Sequence, residues 1–166
     1  MSSSYKLIEV VPYTLKKAGF KALRILKAND KTEWEAAKYF RQKYFFGLHN
    51  IEDPYTWTFN HTQHAHLVLY EGVEIIGYSH IQLWSDERAA MRIIVIDELK
   101  RNNNFGSKFL QVCEKWLKSK NYKTIHVESS PQALAFYRKN HYIEMPFNDP
   151  DGYESSEHDI AMGKKL

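Results

Sequence analysis

The sequence contains a single cysteine, Cys113, so no disulfide can form within the chain. It has no apolar run long enough to cross a bilayer, and its first residues lack the apolar core and small-residue cleavage site of a secretory signal. A lone thiol is typical of proteins from a reducing compartment. These absences together predict a cytoplasmic protein with no membrane partner.

Several functional signatures are missing as well. The phosphate-loop pattern GxxxxGK[ST] and the dinucleotide pattern GxGxxG do not occur. His61, His64 and His66 are close in sequence, but no carboxylate or thiol completes an obvious ligand set, so no metal is expected. Cys113 falls on the apolar face of a predicted helix, where a buried, inert thiol is expected rather than a nucleophile.

What the chain does have is the composition of a globular protein. Its 166 residues are 43% hydrophobic and 14% aromatic, enough to fill one core and line a cleft, so one domain over residues 1–166 is expected. The net charge is only +3, but residues 1–50 carry most of the excess of Lys and Arg. Because these lysines are scattered over predicted elements rather than clustered, a solvated face is favoured over a nucleic-acid partner.

Hydrophobic periodicity predicts the element order β-α-α-β-β-β-α-β-α-β-β. A capping box at Thr32 and Glu35 is predicted for the second helix, and a bulge is predicted at Gly77. Early strands joined by a hairpin and late strands joined through helices imply a mixed sheet in an α/β (α+β) fold. The predicted strands are 5–11, 66–70, 73–83, 90–96, 124–127, 142–147 and 159–163, and the predicted helices are 14–28, one from Asp30 to about Gly47, one ending at Asn121, and 132–139.

The junction between the buried strand 90–96 and the following amphipathic helix has the composition of a phosphate cradle. A helix N-terminus offers unpaired N–H groups, and a concavity of successive amides needs backbone angles that Gly and then Asn adopt most easily. An ordinary Asn-rich turn before a helix has the same composition and remains an alternative. The candidate residues are Arg101, Asn102, Asn103, Asn104, Phe105, Gly106 and Ser107.

Two motifs in this order resemble the GCN5-related N-acetyltransferase (GNAT) superfamily. The pattern Arg101-x-x-Asn104-x-Gly106 is similar to its cofactor motif Arg/Gln-x-x-Gly-x-Gly/Ala. The segment 130–142, SPQALAFYRKNHY, is similar to its Asn-x-x-Ala-x-x-Phe-Tyr-x-x-x-Gly-Phe. The chain departs from the pattern at Asn104, at Ser130 and at the pair His141-Tyr142. The resemblance covers residues 5–165 and implies the acyl-CoA N-acyltransferase fold, with a mostly antiparallel sheet of six to seven strands flanked by helices.

The resemblance implies an acetyl-CoA-dependent N-acetyltransferase. The pyrophosphate of acetyl-CoA would lie on the Arg101–Ser107 cradle, with Ser130 also in the cofactor site. The pantetheine arm would lie where strands 91–96 and 124–127 splay apart, paired with the backbone of Ile94, Val95 and Ile96. An amine acceptor would then attack the thioester directly, with no covalent enzyme intermediate.

The resemblance also implies roles for individual side chains. Tyr137 would protonate the departing thiolate, although an aromatic pair with Phe136 in the core would look the same in sequence. The general base is open between His80, Glu128 and a water chain. The acidic residues of the C-terminal segment would attract a cationic amine or form a solvated loop: Glu144, Asp149, Asp151, Glu154, Glu157 and Asp159.

Three function classes therefore remain open. The first is the N-acetyltransferase. The second is a catalytically weak acyl-CoA-binding module for sensing or interaction, which the changes at Asn104 and Ser130 favour. The third is a nucleic-acid-binding domain built on the basic N-terminal half. A homodimer is expected from the exposed edges of such a sheet.

Overall fold

An eight-stranded sheet runs through the described part of the chain. The structure is a computed structural model, and it describes residues 7–15, 19–152 and 156–166. The spatial order of the strands is β1-β2-β3-β4-β5-β6-β8-β7. Their bounds are β1 Leu7–Leu15, β2 Gly19–Lys27, β3 His64–Glu71, β4 Glu74–Leu83, β5 Arg88–Ile96, β6 Thr124–Ser129, β7 Ile143–Glu144 and β8 Ile160–Lys165.

The predicted mixed, mostly antiparallel sheet is confirmed. Every strand pairing in the described residues is antiparallel except that of β5 with β6. Helices cover both faces of the sheet, as expected from the sequence. They are α1 Lys31–Tyr44, α2 Phe105–Ser119 and α3 Leu134–Lys139, with 3₁₀ turns at Phe46–His49, Thr56–Asn60, Glu98–Lys100 and Pro131–Ala133.

The helix predicted over residues 14–28 is wrong, because this segment is the end of β1 and all of β2. Leu23 and Ile25 are fully buried while Arg24 between them is exposed, which is the period of two that a strand requires. The strand predicted to stop before Pro12 instead runs through it to Leu15. Pro is tolerated there because β1 lies at the edge of the sheet. Residues 5 and 6 of the predicted first strand lie outside the described residues.

The N-cap of helix α1 is Asp30, two residues before the predicted cap at Thr32. The Oδ1 of Asp30 accepts a hydrogen bond from the N–H of Glu33 at 2.8 Å, and Oε1 of Glu33 accepts one from the N–H of Asp30 at 3.3 Å. The capping box is therefore formed by Asp30 and Glu33 rather than by Thr32 and Glu35. It fixes where the chain leaves β2 and enters the helix.

Helices α1 and α2 pack on opposite faces of the sheet. Phe109 and Leu117 of α2 join the larger core with residues of β2 to β6, whereas Ala37 and Phe40 of α1 pack on Tyr78. Cys113 is fully buried on the apolar face of α2, and burial raises the pKa of its thiol to about 12. The predicted burial of this thiol is confirmed.

Two local predictions need correction. The bulge predicted at Gly77 lies at the neighbouring Ile76, because Leu69 pairs with Gly77 while Tyr70 pairs with Ile75. The strand predicted over residues 142–147 extends only over Ile143–Glu144. It ends early because Pro146, which has no N–H, cannot continue the ladder. No helix in the described ranges is long and apolar enough to span a bilayer.

Candidate functional site

Strands β5 and β6 are parallel neighbours that pair only along the first three residues of β5. They pair at Arg88 with Thr124, Ala89 with Ile125 and Ala90 with His126, and no pairing follows. Beyond Ala90, β5 stays paired with β4 on its other side as far as Ile96. One edge of residues 91–96, which includes Ile94 and Val95, therefore faces a notch rather than a neighbouring strand.

The predicted cradle lies at the end of this notch, between β5 and α2. Asn102 and Asn104 both adopt left-handed backbone angles, with φ of 68° and 63°. Asn tolerates this region better than most residues, which explains how Asn104 stands where the family motif has Gly. Asn104 is the N-cap of α2, and its side chain makes no capping hydrogen bond to the helix. Asn104 therefore does not supply the side-chain cap that a residue at this position usually provides.

The remaining side chains of the cradle are anchored to the protein. Nε of Arg101 donates to the carbonyl of Ile96 at 3.0 Å, and its guanidinium lies 5.1 Å from the ring centre of Tyr44. Nδ2 of Asn103 donates to the carbonyl of Lys100 at 3.1 Å. These contacts hold the loop in a fixed shape before any ligand binds.

Helix α3 packs against the first turn of α2. A Cβ added to Gly106 would lie 3.4 Å from the ring of Phe136, an ordinary van der Waals distance, so this ring lies directly beside the first turn of α2. Nδ2 of Asn140 donates to Oγ of Ser107 at 3.1 Å. The hydroxyl of Ser130 accepts a hydrogen bond from the N–H of Ala133 and so caps the turn that leads into α3.

Tyr137 projects from α3 into the core. It is 6% exposed and packs edge-on against Phe136 and Tyr142, with ring centres 5.2 and 5.3 Å away. Burial raises the pKa of its phenol above the ordinary value. Tyr137 is therefore protonated at neutral pH.

A cavity of about 480 Å³ lies on the α1 side of the sheet. Its floor comes from β3, β4 and β5, and its walls come from the segments before β3 and before β8. The predicted base candidates His80 and Glu128 both line it. So do His64, Trp57, Arg92 and Phe147, among other residues.

Arg41 lies at the floor of this cavity and makes hydrogen bonds to neighbouring side chains. It is 1% exposed, and it forms a bidentate ion pair with Asp53 through Nε at 2.6 Å and Nη2 at 3.2 Å. Its Nη1 donates to Nδ1 of His80 at 2.9 Å and to the hydroxyl of Tyr78 at 3.1 Å. Burial would lower the pKa of Arg41, but Asp53 and Tyr78 together raise it above its usual value.

These contacts fix which nitrogens of two histidines carry protons. A guanidinium only donates, so Nδ1 of His80 is an acceptor and its proton is on Nε2. That Nε2–H donates to Nδ1 of His64 at 2.8 Å, which leaves the proton of His64 on Nε2. Both ring nitrogens of His80 are thus engaged within the protein. Burial, with the neighbouring imidazole of His66 and the charge of Arg41, lowers the pKa of His80 well below its usual value.

A second branch from Arg41 passes through Tyr78 to His66. The hydroxyl of Tyr78 donates to Nδ1 of His66 at 2.6 Å, and Nε2 of His66 lies 3.2 Å from the carbonyl of Thr58. Burial and Arg41 lower the pKa of His66 to about 3.

Sequence reasoning missed Arg41 and Asp53. The sequence signal that could have identified Arg41 is its position four residues after Ala37, which places a charged residue on the apolar face of α1.

Arg92 forms the other side of the floor. It is the extra residue of a bulge in β5, since His80 pairs with Ile93 and Ile81 with Met91. Its Nε and Nη2 donate to Oε1 of Gln82 at 2.9 and 2.6 Å, and Nη2 donates to Asp149 at 2.8 Å.

The acidic residues of the C-terminal segment divide between the cavity and the surface. Asp151 and Asp159 line the cavity, and Asp151 accepts a hydrogen bond from Nε2 of Gln82 at 2.7 Å. Glu144 and Glu157 are exposed. Glu154 lies outside the described residues. Nowhere in the described ranges do three His, Cys, Asp or Glu side chains converge as metal ligands would.

Comparisons with known proteins agree with this arrangement. The model of the acetyltransferase (GNAT) family matches residues 30–142, which is more than half of the chain. No curated protein matches the chain in sequence.

Solved structures share the fold at low identity. A putative N-acetyltransferase from Lactobacillus plantarum has a TM-score of 0.70 at 19% identity, over 87% of this chain and 98% of that one. The ribosomal-protein-S18-alanine N-acetyltransferase from Escherichia coli has 0.66 at 16%, over 86% and 93%. The PaiA N-acetyltransferase from Thermoplasma acidophilum, solved in complex with coenzyme A, has 0.60 at 16%, over 87% and 99%.

Proposed function

The chain belongs to the acetyltransferase (GNAT) family, and from that premise we propose that it is an acetyl-CoA-dependent N-acetyltransferase. In this proposal an amine of a small molecule or peptide attacks the thioester of acetyl-CoA directly. The acetyl group passes from sulfur to nitrogen, the amine loses a proton, and the thiolate of coenzyme A gains one.

The observation that carries the proposal is the separation of β5 and β6 beyond Ala90 and His126. The separation leaves one edge of residues 91–96 open to an extended ligand, and the cradle lies where β5 ends. We propose that the backbone of Ile94, Val95 and Ile96 binds the pantetheine arm. The amides from Asn102 to Ser107 would bind the pyrophosphate, because Asn104 supplies no side-chain cap to the α2 N-terminus, which carries the positive end of the helix dipole.

Tyr137 is the proposed general acid. Its raised pKa keeps the phenol protonated at neutral pH, so that a proton is available when the thiolate departs. Its position on α3, beside the first turn of α2, supports this role, since Phe136 contacts that turn.

The proposed general base is Glu128 rather than His80. Both nitrogens of His80 already have partners, and its lowered pKa makes a histidinium costly. Glu128 is on β6 and lines the cavity. We therefore propose that His80 positions His64 and that Glu128, directly or through water, takes the proton from the amine.

The direct test is a thiol-release assay with acetyl-CoA and a panel of amines. The proposal predicts release of coenzyme A only when an amine is present, with one N-acetylated product per thiol. Acetyl-CoA binding by calorimetry without turnover of any amine would instead support the acyl-CoA-binding module. Absence of binding would contradict both.

A further inference from the structure

The floor of the cavity presents hydrogen-bond donors. Nε2–H of His64 points away from His80, because Nδ1 on the other side of the same ring accepts the proton of His80. Among the described residues this Nε2–H has no hydrogen-bond partner. It is therefore a fixed donor that can bind an acceptor atom of a ligand in the cavity.

Arg92 supplies a second donor beside it. Its Nε and Nη2 are held by Gln82 and Asp149, whereas Nη1 has no hydrogen-bond partner in the described ranges. The side chain is 23% exposed and lines the same cavity. Because Asp149 pairs with the guanidinium, the two donors together form a polar rather than a strongly cationic surface.

Carboxylates line the same cavity. Asp151 and Asp159 come from the segment before β8, and Glu128 comes from β6. Asp151 accepts a hydrogen bond from Gln82, whose Oε1 binds Arg92, so this carboxylate lies close to the donors. Carboxylates only accept hydrogen bonds and attract an ammonium group. The cavity therefore holds both hydrogen-bond donors and carboxylates.

We propose that the acceptor substrate carries a carbonyl or carboxylate oxygen next to its amine, and that His64 and Arg92 bind this oxygen. The substrate class is then an α-amino acid or a peptide N-terminus, and a simple alkylamine or polyamine is a poor substrate. A polyamine carries only ammonium groups, which would leave the donors of His64 and Arg92 without an acceptor. This inference rests on the proposed N-acetyltransferase function.

The test compares kcat/KM for amines that differ in the oxygen, with each value calculated for the unprotonated amine so that differences in amine basicity are removed. Alaninamide is matched with sec-butylamine, which has a similar skeleton but no carbonyl, and spermidine represents the polyamines. Alaninamide is expected to be the better substrate by about tenfold or more, the usual effect of a lost hydrogen bond to a fixed donor. Alanine and the dipeptide Ala-Gly distinguish a free amino acid from a peptide N-terminus.

Three variants test the assigned donors. His64→Phe removes the Nε2–H and keeps a ring, and His64→Gln restores an N–H at a similar position. Arg92→Lys keeps a cation for Asp149 but removes the Nη1 donors. His64→Phe and Arg92→Lys should each reduce the ratio of kcat/KM for alaninamide over sec-butylamine by about tenfold, and His64→Gln should restore part of it.

If His64 and Arg92 had a purely structural role, their variants would lower kcat/KM equally for alaninamide and sec-butylamine. The ratio of the two values would then stay unchanged, which would overturn the inference. Equal or better use of sec-butylamine or spermidine by the unmodified protein would also overturn it, while leaving the acetyltransferase function intact. Absence of thiol release with every amine would overturn the proposed function, and this inference with it.

Discussion

Arg41 carries its charge at a position that is 1% exposed, and Asp53 is the carboxylate that balances it. The same guanidinium binds His80 and Tyr78, so the positions of these two polar side chains depend on one ion pair. A buried pair of this kind contributes little relative to an apolar replacement of both residues. Removing one partner is costly because a buried charge is left unpaired.

Asp53→Ala should therefore lower the free energy of unfolding by about 3 kcal/mol, measured by urea denaturation. The matched control is Glu98→Ala, which removes the exposed ion pair with Lys43 at 2.9 Å and should move the urea midpoint little. Equal destabilisation by the two variants would contradict the role given to Arg41.

Tyr137→Phe tests the proposed general acid. Loss of the phenolic proton should reduce kcat by about a hundredfold, because the thiolate would leave without a proton donor. The Kd of acetyl-CoA should stay the same, since the ring remains in place against Phe136 and Tyr142. An unchanged kcat would refute the role of Tyr137.

At the scale of single residues, the sequence identified several residues of the site but not the contacts between them. It selected His80 as a base because imidazole titrates near neutrality, but protonation depends on partners that come from α1 and β3. Arg41 and Asp53 are 12 residues apart and have no motif. Contacts of this type follow from packing, which no local pattern encodes.

The cradle belongs to the scale of elements, and its shape depends on Asn104 at φ 63°. Asn104→Gly should keep this backbone conformation and the affinity for acetyl-CoA. Asn104→Ala should cost about 1 kcal/mol in the free energy of unfolding, because an alanine side chain is strained in left-handed geometry.

Calorimetry with acetyl-CoA separates the two Asn104 variants. The Ala variant should bind more weakly than the Gly variant, because the amides of the turn would no longer converge. Equal affinities for the two variants would show that the left-handed turn does not shape the cofactor site.

Elements with a strong local signal were predicted well. The apolar face of α2 was predicted from its helical spacing of apolar residues, and β5 was predicted from its continuous run of apolar residues. The end of β1 and all of β2 were mistaken for a helix, because β2, GFKALRILK, contains good helix formers at Ala22 and Leu23. Tertiary pairing with β3 overrides that propensity.

Across the whole molecule, three histidines lie in one polar layer between the sheet and α1. The ring centres of His66 and His80 are 4.3 Å apart, and those of His64 and His80 are 5.0 Å apart. The pKa of His64 is lowered to about 4 and that of His66 to about 3, by burial first and by neighbouring cations. The folded protein therefore keeps these rings neutral.

Stability should consequently fall on mild acidification. The unfolded chain binds protons at these rings below a pH of about 6.5, whereas the folded chain does not until the pH reaches the lowered values. Stability is therefore present above that pH and is lost as the pH falls, with a slope of up to about 1.4 kcal/mol per pH unit for each buried ring. Urea midpoints at a pH of about 7, 6 and 5 measure this slope.

His66→Gln should make the slope shallower, because one ring with a lowered pKa is removed. A urea midpoint that does not change over this pH interval would contradict the buried neutral layer.

The fold class was predictable from the order of elements, and the structure confirms it. The cavity proposed to bind the acceptor was not predictable, because its floor combines side chains from β3, β4 and β5 with Arg41 of α1. The single domain, the cytoplasmic location and the homodimer expected from sequence stay predictions.

A crystal structure with bound acetyl-CoA would show directly whether the notch and the cradle form the cofactor site. We expect the pyrophosphate on the amides from Asn102 to Ser107, the pantetheine arm between β5 and β6, and the thioester facing both Tyr137 and the cavity. Acetyl-CoA bound elsewhere, with the notch between β5 and β6 empty, would contradict this expectation.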